Sequence, residues 1–257
     1  SSDTPVIENP GVLVVIGANG SGKSSFGKDI VSRYSDYAVN ISGMRALFIT
    51  SDTLTLKTLA AERSSISMLS EYQKLTLRLQ QEEFETAVNY KEISKTSPGL
   101  PPPITKIDII QGIWEKMFPH NRLVRKSGFF ELTSTSRDGD SYTAERMSDG
   151  EKIVFYLIGA ILCAKPNAIL IIEEPEVLLH DSIKNTLWNE IESCRPDCTY
   201  IYLTHDIAFA TARSEGKRIW VRSYEADEQC WDYEIIESNE SYPEEVYLEL
   251  LGSRKPI

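Results

Sequence analysis

Short, unbroken apolar runs recur at residues 12–16, 168–172 and 199–203. Runs of this kind suit central parallel strands, which are buried on both faces. Helical spacing fills much of the chain between them. Residues 25–34 can wind into a helix after the first run, and strand-like material follows at 38–41 and 46–49, with Gly43 between. Residues 51–97 read as helical. Met68, Tyr72, Leu75 and Leu79 fall at steps of four, three and four, and Phe84 and Val88 continue on a shifted face. That is the stripe of an amphipathic helix. No apolar heptad is sustained, which argues against a long coiled-coil arm. Ser97-Pro98-Gly99-Leu100-Pro101-Pro102-Pro103 then breaks any helix. Residues 104–118 resume helical spacing, with Ile109, Ile113 and Met117 on one stripe. Residues 122–142 alternate and turn at Asp138-Gly139, which predicts a hairpin. Residues 152–164 predict an apolar helix, 182–194 and 207–213 two more, 218–224 and 231–237 closing antiparallel strands, and 243–251 an acidic helix.

This alternation predicts an α/β fold: a mostly parallel sheet core with antiparallel strands and an inserted helical lobe at 51–120. The chemistry gathers where the apolar runs end. After the first run stands Gly17-Ala18-Asn19-Gly20-Ser21-Gly22-Lys23-Ser24, with Ser25 opening the helix. Strand, glycine-rich loop and helix in that order make a phosphate-binding loop. Glycines let backbone N–H groups turn inward onto phosphate oxygens, and the helix N-terminus adds donors and partial positive charge. Lys23 can reach the β- and γ-phosphates, and the Ser24 hydroxyl can take a place on Mg²⁺.

The second run ends in Glu173-Glu174-Pro175-Glu176. Carboxylates at the end of a parallel strand sit where α/β sheets bind ligands. Strand alternation points Glu173 and Glu174 in different directions, so one can support Mg²⁺ while the other approaches the γ-phosphate and its attacking water. The third run ends in Thr204-His205-Asp206, which puts His205 on the same rim. Met147-Ser148-Asp149-Gly150-Glu151 directly precedes the apolar helix. Ser148 and Gly150 at a helix start make either an ordinary N-cap or another anion site.

The 257 residues carry a formal charge of −11, which disfavours strong nonspecific nucleic-acid binding by the chain as a whole. A basic cluster at Arg122, Arg125 and Lys126 is a solvated strand edge or a nucleic-acid contact. No apolar run approaches the roughly 20 residues that span a bilayer. The cysteines are Cys163, Cys194, Cys198 and Cys230; their number does not suggest a disulfide scaffold. Cys194 and Cys198 are spaced for one helical face, yet no second pair completes a zinc set. Reduced thiols and the absence of a secretory opening predict a cytoplasmic protein.

The four motifs resemble, in order, those of ABC-class ATPases. Gly17–Ser24 resembles the Walker A loop, Met147–Glu151 the signature motif, residues 169–174 Walker B with its catalytic glutamate, and His205 the switch histidine. Glu173-Glu174-Pro175-Glu176-Val177-Leu178-Leu179-His180 resembles the EEPE…LH segment of OLD-like ATPases of bacterial anti-phage systems, to which PARIS-type ATPases are close. Transporter domains usually carry Asp at the first of these positions and at the position of His180. No Q-loop glutamine is evident: Arg45 occupies that region, with Gln73 and Gln111 as stand-ins.

The resemblance implies a single ATPase domain over residues 1–257 that uses ATP and Mg²⁺. It implies a homodimer sandwiching two nucleotides, with Ser24 and Glu173 on the metal, Glu174 on the water and His205 on the γ-phosphate. Ser148 and Gly150 would reach across from the second copy. The tail at 252–257 reads as a linker to a Toprim-like nuclease domain or subunit. Rival readings are an SMC-like DNA-repair ATPase, for which residues 51–120 offer too few heptads, and a transporter nucleotide-binding domain, which needs a membrane partner.

Overall fold

The computed structural model describes residues 10–43, 71–126, 129–134, 141–143, 147–177, 179–228, 230–237 and 240–252. Residues 1–9, the expected strand at 46–49, Arg45, residues 51–70 with Met68, the Asp138-Gly139 turn, Leu178 and the tail at 253–257 lie outside the described residues. In chain order the elements are β1 (Val12–Ile16), α1 (Lys23–Arg33), β2 (Ala38–Ser42), α2 (Glu71–Thr96), α3 (Lys106–Met117), β3 (Asn121–Lys126), β4 (Phe129–Ser134) and β5 (Ser141–Thr143). Then follow α4 (Asp149–Leu162), β6 (Ile169–Glu173), α5 (Asp181–Cys194), β7 (Thr199–Thr204), α6 (Ile207–Thr211), β8 (Lys217–Glu225), β9 (Cys230–Ile236) and α7 (Glu244–Gly252). They form two compact units, residues 1–42 with 164–257, and residues 43–163.

The first unit is built on a six-stranded sheet in the order β2-β6-β7-β1-β8-β9. Every neighbouring pair is parallel except β8 with β9. This is the α/β class expected, a mostly parallel sheet with an antiparallel edge. The register pairs Ile16 with Thr204 and Glu173 with Leu203, so β1, β6 and β7 end on one rim. That alignment brings the phosphate loop, the carboxylates and His205 to the same edge.

Alternation supplies both faces of the sheet. Leu13, Val15, Ile171, Ile201, Leu203, Ile219 and Val221 form one buried cluster with Phe26, Ile30 and Val31 of α1 packed on it. α1 can lie this close because Gly27 has no side chain: a Cβ there would stand 2.8 Å from Leu203 Cδ1 and 2.9 Å from Ile171 Cγ2. On the other face Tyr202 meets Trp188 of α5 and Phe209 of α6 in edge-on ring contacts, both with centroids 5.2 Å apart. Burial of each such side chain contributes roughly 1.5–3 kcal/mol.

The second unit contains α2, α3, α4 and the antiparallel sheet β3-β4-β5. Tyr72, Leu75 and Leu79 are buried as the stripe predicts, and the Tyr72 ring lies 5.5 Å from that of Phe155. Phe84 and Val88 are solvent-exposed instead of continuing the packed face. On α3 the buried face is Ile107, Ile110, Ile113, Trp114 and Met117, which holds Ile113 and Met117 of the expected stripe, while Ile109 is half-buried. β3 pairs with β4 from Asn121↔Ser134 to Lys126↔Phe129, and β4 with β5 from Glu131↔Thr143 to Thr133↔Ser141, so the antiparallel pair expected across Asp138-Gly139 is joined by another. Arg125 is tied to Glu83 and Asp108, and Arg122 pairs with Glu115. The expected helical cysteine pair does not form, because α5 ends at Cys194 and Cys198 is buried beyond it.

Candidate phosphate-binding site

The loop after β1 delivers an open helix start. The N-cap of α1 is Gly22, at φ +98, with no side-chain cap. An L side chain rarely adopts that φ, and a Cβ at Gly22 would stand 2.3 Å from Tyr224 Cβ. The first N–H groups of α1 are therefore available to a ligand. Ser21 is buried, and its Oγ has no partner among the described residues. Lys23 folds back over the loop and donates from Nζ to the carbonyls of Gly17 and Ala18, at 2.7 Å each. Burial lowers its pKa against the opposing pull of Glu174, Glu176 and Glu249. Asn19, Gly20, Gly22, Lys23, Ser24, Ser25 and Glu174, with Leu203, line a cavity of about 350 Å³.

The carboxylates of the rim differ in surroundings. Glu173 closes β6; its Oε2 accepts from Ser24 Oγ at 3.3 Å and its Oε1 from Asn40 Nδ2 at 2.6 Å. Hydroxyl and carboxylate oxygens side by side are a donor set suited to Mg²⁺. Glu174 stands outside the strand at φ 50, and its N–H donates to Leu203 O at 2.9 Å. A left-handed glutamate is strained. Its side chain is set by that kink, not by the strand alternation expected from sequence. Glu174 is exposed and borders the cavity.

Glu176 was invisible as a site residue in the sequence beyond its place in the acidic run. Its Oε1 accepts from Thr204 Oγ1 at 2.8 Å and lies 3.4 Å from His205 Nδ1, and its Oε2 is buried without a partner among the described residues. Burial raises its pKa, with the neighbouring Asp206 adding to the rise. His205 is half-buried and does not line the cavity; its contact is Glu176. Asp206 caps α6 through the N–H groups of Ala208 and Phe209 and pairs with Lys184 Nζ at 2.7 Å. Burial opposes the charge of Asp206, but that pair and the Phe209 amide outweigh it and lower its pKa.

Glu249 of α7 is a second residue that no motif marked. Its Oε1 accepts from the Ala18 N–H at 3.3 Å and its Oε2 from Trp220 Nε1 at 2.9 Å. Trp231 Nε1 donates to Gly22 O at 3.2 Å, and its ring packs edge-on against Phe26. The closing strands and α7 thus brace the loop from behind.

Ser148 and Gly150 belong to the second unit. Ser148 caps α4 in a full capping box: its Oγ accepts from the Glu151 N–H at 3.3 Å and donates to Glu151 Oε2 at 2.8 Å. Gln73 is buried in the same unit, and Gln111 donates to Leu123 O, a packing role.

Residues 135–210 match the family described as "AAA domain, putative AbiEii toxin, Type IV TA system". That segment holds Ser148, the carboxylate run and His205, while the phosphate loop lies outside it. No match is found among the curated proteins. Among solved structures, the chain is similar to "an inward-facing conformation of a putative metal-chelate type ABC transporter", at 12% identity and TM-score 0.48, over 95% of this chain and 79% of that one. It is similar to cbiO1 of the Clostridium perfringens ABC transporter complex cbiONQ, at 14% identity and TM-score 0.44, over 95% and 84%. A third likeness, to an SMC head bound to the C-terminal winged-helix domain of ScpA, has 14% identity and TM-score 0.38; it covers 50% of this chain and 41% of that one. No helix among the described residues is long and apolar enough to cross a membrane.

Proposed function

We propose that the chain binds ATP at the phosphate loop and hydrolyses it as a nucleotide-sandwich homodimer. One observation carries this reading: the uncapped start of α1, Lys23 and Glu174 border one cavity, with Glu173 hydrogen-bonded to Ser24 at its edge. Gly17, Asn19, Gly20, Ser21, Gly22, Lys23, Ser24 and Ser25 cradle the phosphates with backbone N–H groups and the lysine charge. Ser24 and Glu173 fit Mg²⁺, which when bound supplies positive charge to the β- and γ-oxygens. Glu174 orients the attacking water and accepts its proton. His205 contacts the γ-phosphate. Ser148 and Gly150 of the partner subunit complete each site. The nucleotide state then becomes a change in dimer geometry.

The wider role we assign is a cytoplasmic switch for a Toprim-like nuclease domain or subunit in anti-phage defence. The run from Glu173 to His180 supports it, as does the likeness of residues 135–210 to a family described by a toxin of a toxin–antitoxin system. Phosphate release from ATP and Mg²⁺ by the purified chain tests the core of the reading. We expect turnover in the unsubstituted chain and no cutting of DNA or RNA. Absence of both ATP binding and phosphate release would overturn the ATPase; nuclease activity that co-elutes with the chain and is lost in one of its variants would overturn the separate effector.

A further inference from the structure

A buried carboxylate rarely keeps an oxygen without a hydrogen-bond donor, since that exposes the full desolvation penalty. Glu176 does so beside an imidazole. Its Oε1 is held by Thr204 Oγ1 at 2.8 Å and lies 3.4 Å from His205 Nδ1, while that Nδ1 and the Glu176 Oε2 are both buried with no hydrogen-bond partner among the described residues. The glutamate side chain is 10% exposed and that of His205 35%. One end of the imidazole is therefore turned into the protein and the other is reachable.

We propose that Glu176 is the positioning residue of His205, holding the Nδ1–H of the ring so that Nε2 is the atom presented to the γ-phosphate. This rests on the ATPase reading above. In a five-membered ring, fixing Nδ1 on the carboxylate directs Nε2 away from it, and the bond at one nitrogen sets the protonation of the other. When both ring nitrogens carry protons, the Nε2–H can donate to a phosphoryl oxygen. This is distinct from the task of Glu174, which meets the water.

The other charges around the pair are accounted for. Asp206 is engaged by Lys184 and by the amides of α6. Lys23 feels Glu176 through space but donates to loop carbonyls. Glu174 and Glu249 act on Lys23. His205 is thus the group within contact distance of Glu176 that its carboxylate can orient, besides the Thr204 hydroxyl. Burial raises the Glu176 pKa, as expected for a carboxylate that lacks a full set of donors.

The chain has three histidines, so ¹⁵N-histidine NMR resolves the ring nitrogens, with His120→Gln and His180→Gln assigning the other two. In the nucleotide-free, unsubstituted chain near pH 7, Nδ1 of His205 should be protonated. Glu176→Met removes the acceptor and should lose that Nδ1–H. Glu176→Gln keeps an acceptor oxygen without the charge and should retain it. In ATP turnover, Glu176→Met should lower kcat about tenfold with KM changed less than about threefold, and Glu176→Gln should fall between. An unprotonated Nδ1 in the unsubstituted chain overturns the proposal without any variant having to fold. So does an Nδ1–H and a kcat that survive in Glu176→Met. If the unsubstituted chain fails to hydrolyse ATP, the ATPase reading falls, and the proposed presentation to the γ-phosphate falls with it, while the ring spectrum still decides whether Glu176 holds His205.

Discussion

Two helix starts in this chain read alike in sequence, a serine and a glycine at the head of a helix, yet the structure treats them in opposite ways. α1 opens on Gly22 with no side-chain cap, and its first N–H groups border a cavity. α4 opens on Ser148 with a capping box that ties hydroxyl, carboxylate and two backbone donors to one another. An open start has all its donors to give a phosphate; a boxed start has already used two backbone donors on itself. The composition of a helix start therefore does not settle whether it binds an anion. The question is whether a local side chain has reached the amides first. For Ser148 to touch a nucleotide across a dimer, its hydroxyl must turn from Glu151, and the helix must tolerate the loss of that bond.

The largest effect separates chemistry from the open start. Glu174→Gln should cut phosphate release by about 10²- to 10⁴-fold, since an amide cannot act as base, while ATP binding persists and a dimer accumulates on size exclusion. Near-normal turnover would remove Glu174 from the chemistry. Next come changes to the open start itself. Lys23→Ala removes a charge-assisted bond to phosphate and should weaken ATP binding about a hundredfold. Gly22→Ala should weaken it by about tenfold or more, because alanine at that φ is strained and meets Tyr224. Calorimetric titration reads both; unchanged affinity in either would break the contrast.

The boxed start should respond differently. Ser148→Ala should lower stability by about 1 kcal/mol in denaturant unfolding, the usual loss for an N-cap. If the residue also acts across a dimer, a Lys23→Ala chain mixed with a Ser148→Arg chain should recover activity that neither has alone. Heterodimers without recovery, alongside activity when an intact chain is tied to a double mutant, would confine Ser148 to its cap.

The smallest effect concerns pH. The folded pKa of Glu176 is raised above its unfolded value, so its favourable contribution is present below the unfolded pKa and lost as pH rises through the folded one. Glu176→Gln should therefore gain in melting temperature relative to the unsubstituted chain as pH climbs from 5 to 8, at roughly 2–4 °C per kcal/mol. A difference that stays flat would show that the carboxyl does not change its ionisation on folding.

Much of this was legible in the residues. β1, β6 and β7 announced themselves as unbroken apolar runs because strands buried on both faces have no polar side to display. The loop and the carboxylates followed because they sit where those runs stop. Other features depended on pairings no local pattern encodes. The pairing of β3 with β4, closed across Lys126↔Phe129, was not expected, while β4 and β5 pair antiparallel on either side of Asp138-Gly139. Glu249 reaches the phosphate loop across 231 residues, and Glu176 meets Thr204 across 28. Phe84 and Val88 kept helical spacing but are exposed among the described residues, so periodicity marked a face without saying what would cover it.

The contrast between the two starts is tested most directly by the backbone amides themselves. ADP titrated into ¹⁵N-labelled chain should shift the N–H resonances of Gly22, Lys23, Ser24 and Ser25 saturably, and leave those of Asp149, Gly150 and Glu151 in place. Shifts confined to the α4 amides, or none at the phosphate loop at saturating ADP, would contradict the account.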